Sequence, residues 1–544
     1  MESMSPPTSF GAIQEQAAPV QRGGSVAFRS ILFGDSGTPA EIDKQEAPDL
    51  FTDLNLDQVV DSITAGRDEY NLKPFFYAPL ADVEAVNYRY DVLRDLEDPV
   101  LAAQIRSFAG EMRTMRNHLA NAGKAHYIYV KHRWFLDAVE AYCTAVRNLS
   151  RDLTDAELSS RGLRAFREFL TDYTDGAGFR ALASDTESLK SQLSAIRYSL
   201  RIAGKRVYVT KYNSEPDYGA DVLATFEKFK QSAAREHQFK LRAAADMNHV
   251  EAAILDLVAR LYPDVFSSLD DFCRRYAECV NESIATFDRE IQFYIACIEY
   301  TERFKAAGLP FCYPVVSAQS KAVHGADAFD LALANRLISE RKAVVTNEFH
   351  MRDQERICIV SGPNQGGKTT FARTFGQLHY LASIGCPVPA REAALFLCDR
   401  LFTHFEREEE IENLSSKLED ELLRIHQVLD RATPRSILIM NESFLSTTLD
   451  DAQFLSKKVM DRIVALDILC VSVTFLDELA ALGNKTVSMV STVDPGDPAL
   501  RTFRIVRRPA DGLAYAVAIA EKHRLTYDKI KGRLGKAIER PGTL

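Results

Sequence analysis

The chain predicts an α + α/β protein, a long-helix domain followed by a domain built on a mainly parallel sheet covered by helices. Three observations predict it. From Leu50 to about Ala307, apolar residues recur three and four apart with few Gly or Pro between them, the period of amphipathic helix. After Gly308 the texture changes to short, β-branched apolar runs separated by helical pattern, as a parallel sheet with covering helices reads. One of those runs, Ile357 to Val360, opens directly onto a glycine-rich loop and another helical stretch.

At 544 residues the chain exceeds what one core ordinarily supports. Residues 1–48 are rich in Pro, Ser, Gly, Ala and Gln, with an apolar island at Phe28 to Phe33, and predict a mostly disordered tail. Residues 49–342 form the helical domain. Within it, Val250, Ile254, Leu257, Val258 and Leu261 outline one stripe, and Ile284, Phe287, Ile291, Ile295 and Ile298 another; such stripes are core seams before they are ligand sites. Gly204-Lys-Arg-Val-Tyr-Val-Thr210 and the turn-rich Asn213 to Gly219 mark a β excursion near 200–245. In residues 343–544, Ala343 to Thr346, Ile357 to Val360, Ser436 to Met440, Ile468 to Val473 and Val487 to Thr492 are the expected strands.

Composition excludes several classes. With 46% hydrophobic and 26% charged residues, the chain reads as a soluble globular protein. It holds no apolar run of membrane-spanning length and no secretory h-region in residues 1–26, so a cytoplasmic location is expected, nucleoid-associated if the source is bacterial. The nine cysteines are odd in number, scattered in apolar segments and without a CxxC pair, as buried free thiols are. A net charge of −10 argues against coating nucleic acid through bulk charge, while leaving room for a local basic surface.

Ser361-Gly-Pro-Asn-Gln-Gly-Gly-Lys-Thr-Thr370 satisfies GxxxxGK[ST]. A strand pattern precedes it and Phe371 to Ile384 continues as helix, the context a phosphate-binding loop requires. Across Gly362, Pro363, Asn364, Gln365, Gly366 and Gly367 the glycines let the backbone wrap a diphosphate, so that N–H groups and the helix N-terminus would face it. Lys368 would bridge the β and γ phosphates, and Thr369, followed by Thr370, would place its hydroxyl on Mg²⁺. ATP with Mg²⁺ is the expected ligand; a glycine-rich turn without ligand is the bland alternative.

The form GPNQGGKTT resembles the GPNMGGKST loop of the MutS family, DNA-binding ATPases related to ABC-type ATPases. Val344-Val-Thr-Asn347 looks like the strand whose Asn lies beside the adenine there. Ile384-Gly-Cys-Pro-Val-Pro-Ala390 is similar to its IGxxVPA turn, and Asp399-Arg-Leu-Phe-Thr403 to its DRIFT strand. Ser415-Ser-Lys-Leu-Glu-Asp-Glu-Leu422 stands where the family carries STFMxEM, which would make Ser416 the serine reaching the γ-phosphate bound by the partner subunit; a helix cap is the alternative. Tyr77 to Ala81 and Tyr88 to Arg94 look like the start of the family's core domain, and His249 to Phe304 like its long lever helices. The resemblance therefore implies a core/lever domain and a P-loop, ABC-like ATPase and dimerisation domain over 343–544. The family's mismatch-sensing domain with its Phe-x-Glu wedge is not expected in a 48-residue tail, nor a nuclease module after Leu544.

The segment Ile437-Leu-Ile-Met-Asn-Glu-Ser-Phe444 departs from the family, whose strand ends in Asp-Glu. Glu442 is the carboxylate placed to orient and deprotonate an attacking water; capping of the next helix is its bland role. Asn441 keeps the shape of the usual Asp and can act on the metal through water, but it lacks the charge. Phe475 stands where a histidine is usual. Binding with slow hydrolysis is therefore expected. By the same resemblance, the active form is a homodimer, or a heterodimer with a related subunit, with Thr447, Thr448 and Asp451 in a loop facing the partner, closing on double-stranded or branched DNA. The local DNA candidates are Lys205, Arg206 and Lys211 with Lys228, Lys230, Arg235, Lys240 and Arg242; a solvated basic face is the alternative. An ATP-binding switch with little or no hydrolysis is the competing function.

Overall fold

The computed structural model describes residues 28–36, 41–204, 206–214, 247–406, 417–494, 496–497, 500–510, 525–527 and 530–531. In chain order these carry α1 (Leu50–Leu54), α2 (Leu56–Thr64), α3 (Lys73–Tyr77), α4 (Val83–Asp95), α5 (Pro99–Lys124), α6 (Ile128–Asp155), α7 (Arg161–Asp175) and α8 (Ala177–Ser194). The hairpin β1 (Tyr198–Ala203) and β2 (Arg206–Lys211) follows, then α9 (His249–Leu261), α10 (Pro263–Arg275) and α11 (Glu282–Ala306). The remainder alternates: β3 (Val315–Ser317), β4 (Val323–Ala328), α12 (Leu331–Ser339), β5 (Asn347–Met351), β6 (Ile357–Ser361), α13 (Lys368–Ser383), β7 (Glu392–Phe396) and β8 (Leu401–Phe405). It closes with α14 (Lys417–Arg431), β9 (Ile437–Asn441), α15 (Leu449–Ala465), β10 (Leu469–Val473), β11 (Thr486–Val493) and β12 (Arg501–Arg507).

The described residues fall into two compact units, one drawn from residues 28, 104–157 and 165–281, the other from 29–103, 158–164 and 282–531. In the first, α6 buries Leu136, Val139, Tyr142, Val146, Leu149 and Leu153 at helical spacing, and Tyr142 and Tyr173 share a 2.9 Å hydroxyl contact. The hairpin is anchored at its base, where Val209 and Ile196 pack on a small cluster of Val258, Ala259 and Phe266. Of the first predicted stripe, only Val258 is fully buried, and Val250 and Leu257 are exposed. The stretch 249–304 is two shorter helices followed by the 25-residue α11, and Pro263 at the start of α10 separates it from α9.

In the second unit the six-stranded sheet has the order β12-β11-β6-β10-β9-β8. It is parallel throughout except for the β11–β12 edge pair, the mainly parallel sheet expected. Central strands β6 and β10 are buried along their whole length, which is why they read as mainly apolar runs, with Ser361 and Ser472 as buried exceptions. A four-stranded sheet, β3-β7-β4-β5, completes the unit. Its β5 begins at Asn347 rather than Ala343, because the ladder with β4 runs only from Ala328↔Asn347 to Val323↔Met351.

The island near residue 30 is not tail. Ser30 donates its hydroxyl to Glu290 of α11, the Ile31 N–H donates to the same carboxylate at 2.8 Å, and Ile31 and Leu32 are fully buried. That partner is 259 residues away, which local periodicity cannot register. All nine cysteines are free, and Cys143, Cys297, Cys358, Cys386 and Cys470 are fully buried. Among the described residues no helix is long and apolar enough to cross a membrane.

Candidate nucleotide site

The site forms where β6, β9 and β10 end together. Register aligns Val473 of β10 with both Val360 of β6 and Asn441 of β9, so whatever follows each strand emerges at the same sheet edge. Ligands of open parallel sheets bind at this carboxyl edge.

From β6 the chain turns through Gly362 at φ +113° and Gly367 at φ +91° into α13. Both values lie in the region where a Cβ clashes with backbone. Gly366 is needed for a different reason: a Cβ there would sit 2.3 Å from Ser491 Oγ. Ser491, buried on β11, donates that hydroxyl to the Gly366 carbonyl at 2.7 Å and so pins the loop from beneath. Arg501 Nε donates to the Asn364 carbonyl at 3.2 Å. Neither residue stands out in the sequence, since each reaches the loop only through sheet pairing.

Lys368, 4% exposed, donates from Nζ to the Gly362 carbonyl at 2.9 Å and to Asn364 Oδ1 at 3.2 Å, and lies 3.9 Å from Glu442 Oε1. Burial pushes its pKa down, Glu442 opposes that, Arg501 adds to it, and Asp477 opposes it from the segment after β10. A phosphate would compete for the same Nζ protons and favour the charged form. Thr369 donates its hydroxyl to Asn441 Oδ1 at 2.9 Å. The candidate metal pair therefore stands together.

Among the described residues no group of three or more His, Cys, Asp or Glu could hold a metal by itself. Mg²⁺ is commonly bound through one or two protein oxygens, substrate phosphates and water. The Thr369 hydroxyl and the Asn441 carbonyl fit an ion carried in with a nucleotide.

Glu442 has φ +54° and is one-third exposed, its N–H donating to the Val473 carbonyl at 2.9 Å. Two residues on, Phe444 has φ +64° and is fully buried. Asn347 spends its amide on backbone, donating to the Phe503 carbonyl at 3.1 Å and accepting the Ile505 N–H at 2.7 Å. It thereby holds the half-exposed Phe503, which lies beside Gly367. Thr448 caps α15, accepting the Asp451 N–H and donating to Asp451 Oδ2, while Thr447 donates to the same carboxylate. Phe475 is also nearly half-exposed, just past β10.

A model of the MutS2 N-terminal domain matches residues 81–307, and a model of MutS domain V matches residues 358–525. The chain belongs to the MutS family. It is 22% identical over 383 residues to DNA mismatch repair protein MutS of Chlorobaculum tepidum, an alignment covering 68% of this chain and 42% of that one. To DNA mismatch repair protein MutS of Rickettsia bellii it is 26% identical over 289 residues, 51% of this chain and 30% of the relative. To DNA mismatch repair protein MSH3 of Kluyveromyces lactis it is 30% identical over 150 residues, 26% and 15% respectively. The chain thus spans less than half the length of these relatives.

In this MutS-family chain the phosphate loop, Asn441 and Glu442 converge, whereas Ser416 lies outside the described residues, as do Lys205, Lys228, Lys230, Arg235, Lys240 and Arg242. On the hairpin, Arg201↔Tyr208 and Ala203↔Arg206 alternate with Ile202↔Val207, so Arg201, Tyr208 and Arg206 share one face. Lys211 falls on the other, its Nζ over the Tyr262 ring at 5.1 Å. Nothing in the local sequence singles out Arg201, because strand register, not proximity along the chain, sets it beside Tyr208.

Proposed function

We propose that the chain is an ATP-dependent DNA-binding clamp of the MutS type, a dimer that acts on structured or mismatched DNA in repair or recombination and hydrolyses ATP slowly. One observation carries the ATPase part: Thr369 on Asn441, with Glu442 beside Lys368, at the end of a glycine loop. Bound Mg²⁺ would neutralise charge on the β and γ phosphates. Lys368 and the loop N–H groups hold the phosphates in line. Glu442 orients the attacking water and takes its proton. Asn441 retains the geometry of an aspartate and lacks its charge. The half-exposed Phe503, held by Asn347, offers a stacking face for the base.

Dimerisation is supported by exposed Leu445, Leu449, Phe454 and Phe475 near this edge, since an apolar patch beside polar groups is what a partner covers. Gln453 donates to Glu478 at 2.7 Å and joins α15 to the segment after β10. DNA binding is supported by the repair proteins the chain resembles and by the Arg201–Tyr208–Arg206 face, where cations meet phosphates and an aromatic ring meets bases.

Titration of duplex, four-way-junction and mismatched DNA against salt tests the clamp. The logarithm of affinity is expected to fall linearly with that of salt, and Arg201→Ala with Arg206→Ala to lessen the slope by about 2. Absent or salt-insensitive binding to all three DNAs defeats this function. Asn441→Asp is expected to lower the Mg²⁺ concentration for half-maximal ATP turnover about tenfold or more, by restoring a charge at the metal. An unchanged Mg²⁺ requirement would show that Asn441 is no deficit. Asn441 and Phe475 also support a second function, an ATP-binding switch that scarcely hydrolyses.

A further inference from the structure

The turn carrying Glu442 holds two non-glycine residues at positive φ, Glu442 and Phe444. L side chains keep such a conformation only where the surroundings over-determine it. One restraint is the Glu442 N–H on the Val473 carbonyl. Another is the Phe444 ring, buried in the cluster with Ile425, Met440 and Leu476. The last is polar: the Phe444 N–H donates to Glu421 Oε1 at 2.7 Å.

Glu421 lies on α14 and is itself buried, 7% exposed. His404 of β8, 2% exposed, brings Nε2 to 3.5 Å from the same oxygen. Burial works against the Glu421 charge, yet His404, the Phe444 N–H and Arg424 keep its carboxyl below the ordinary glutamate range. A buried carboxylate is tolerated when a hydrogen-bond donor and cationic partners face it. Here that donor is a backbone N–H two residues from the candidate general base.

We propose that Glu421 is a positioning residue for ATP hydrolysis, one that fixes the 442–444 turn by accepting the Phe444 N–H and so aims Glu442 at the water beside Lys368. The consequence for turnover rests on the ATPase function proposed above; the hold on the turn does not.

Glu421→Ala and Glu421→Gln in the full chain test it, because glutamine keeps a carbonyl acceptor and alanine does not. Glu421→Ala is expected to lower kcat about tenfold or more while KM for ATP changes less than about twofold. Amide exchange of the 441–448 segment should quicken about tenfold, with phosphate-loop segments unchanged. Glu421→Gln should restore most of both. Overturning results are unaltered exchange in Glu421→Ala, equal loss in both variants, or a lowered Tm with kcat intact. If the wild type turns over no ATP, the ATPase function fails while exchange at Phe444 still decides the role of Glu421.

Discussion

Glu442→Gln is expected to lower ATP turnover by about 100-fold or more while leaving nucleotide affinity within about twofold, the loss of a general base amounting to roughly 10²–10⁴ in rate. The side chain sits just past the carboxyl end of β9, one-third exposed and 3.9 Å from Lys368 Nζ, so in the proposed ATPase it would meet water and the γ-phosphate together. Glutamine preserves its size and can still hydrogen-bond a water, but takes up no proton. Steady-state phosphate release beside fluorescent-nucleotide titration separates the two effects. Equal, background-level rates in wild type and variant would instead favour the non-hydrolysing switch. Loss of binding together with turnover would place Glu442 in the binding machinery.

Lys368→Ala should weaken ATP binding about 100-fold. Each hydrogen bond to a charged group contributes about 1.5–3 kcal/mol, and in the proposed ATPase the buried ammonium would be the loop's principal cation for phosphate. Its carbonyl partners, Gly362 O and Asn364 Oδ1, would lose their donor as well, so some of the cost would fall on the loop itself. Lys368→Met keeps much of the side-chain volume and controls for that, with thermal unfolding followed in parallel. Nanomolar or micromolar affinity preserved in both variants, with Tm intact, would remove the loop from nucleotide binding.

The core of the candidate site is legible in the amino-acid sequence because its signals are local. A glycine at φ +113° or +91° must be glycine or nearly so, and a doubly buried strand such as β6 is apolar from Ile357 to Val360. What surrounds that core is not legible there. Ser491 meets Gly366 across 125 residues and Glu421 meets Phe444 across 23, contacts that no periodicity announces. The same holds for Ser30 on Glu290, 260 residues apart, which draws an apparent tail into the fold.

Sequence by itself therefore determined the class of fold, the glycine-rich loop that leads into the helix with Lys368 and Thr369, and the place of Asn441 and Glu442 at a strand end, because steric and hydrophobic constraints act on each residue where it stands. Only the tertiary structure decided that Thr369 bonds Asn441, that Asn347 serves Phe503 through the backbone, that Arg201 shares a face with Arg206, and that Glu421 grips the turn behind Glu442. Those are hydrogen bonds and strand registers between distant segments, and their partners are chosen by how the elements pack.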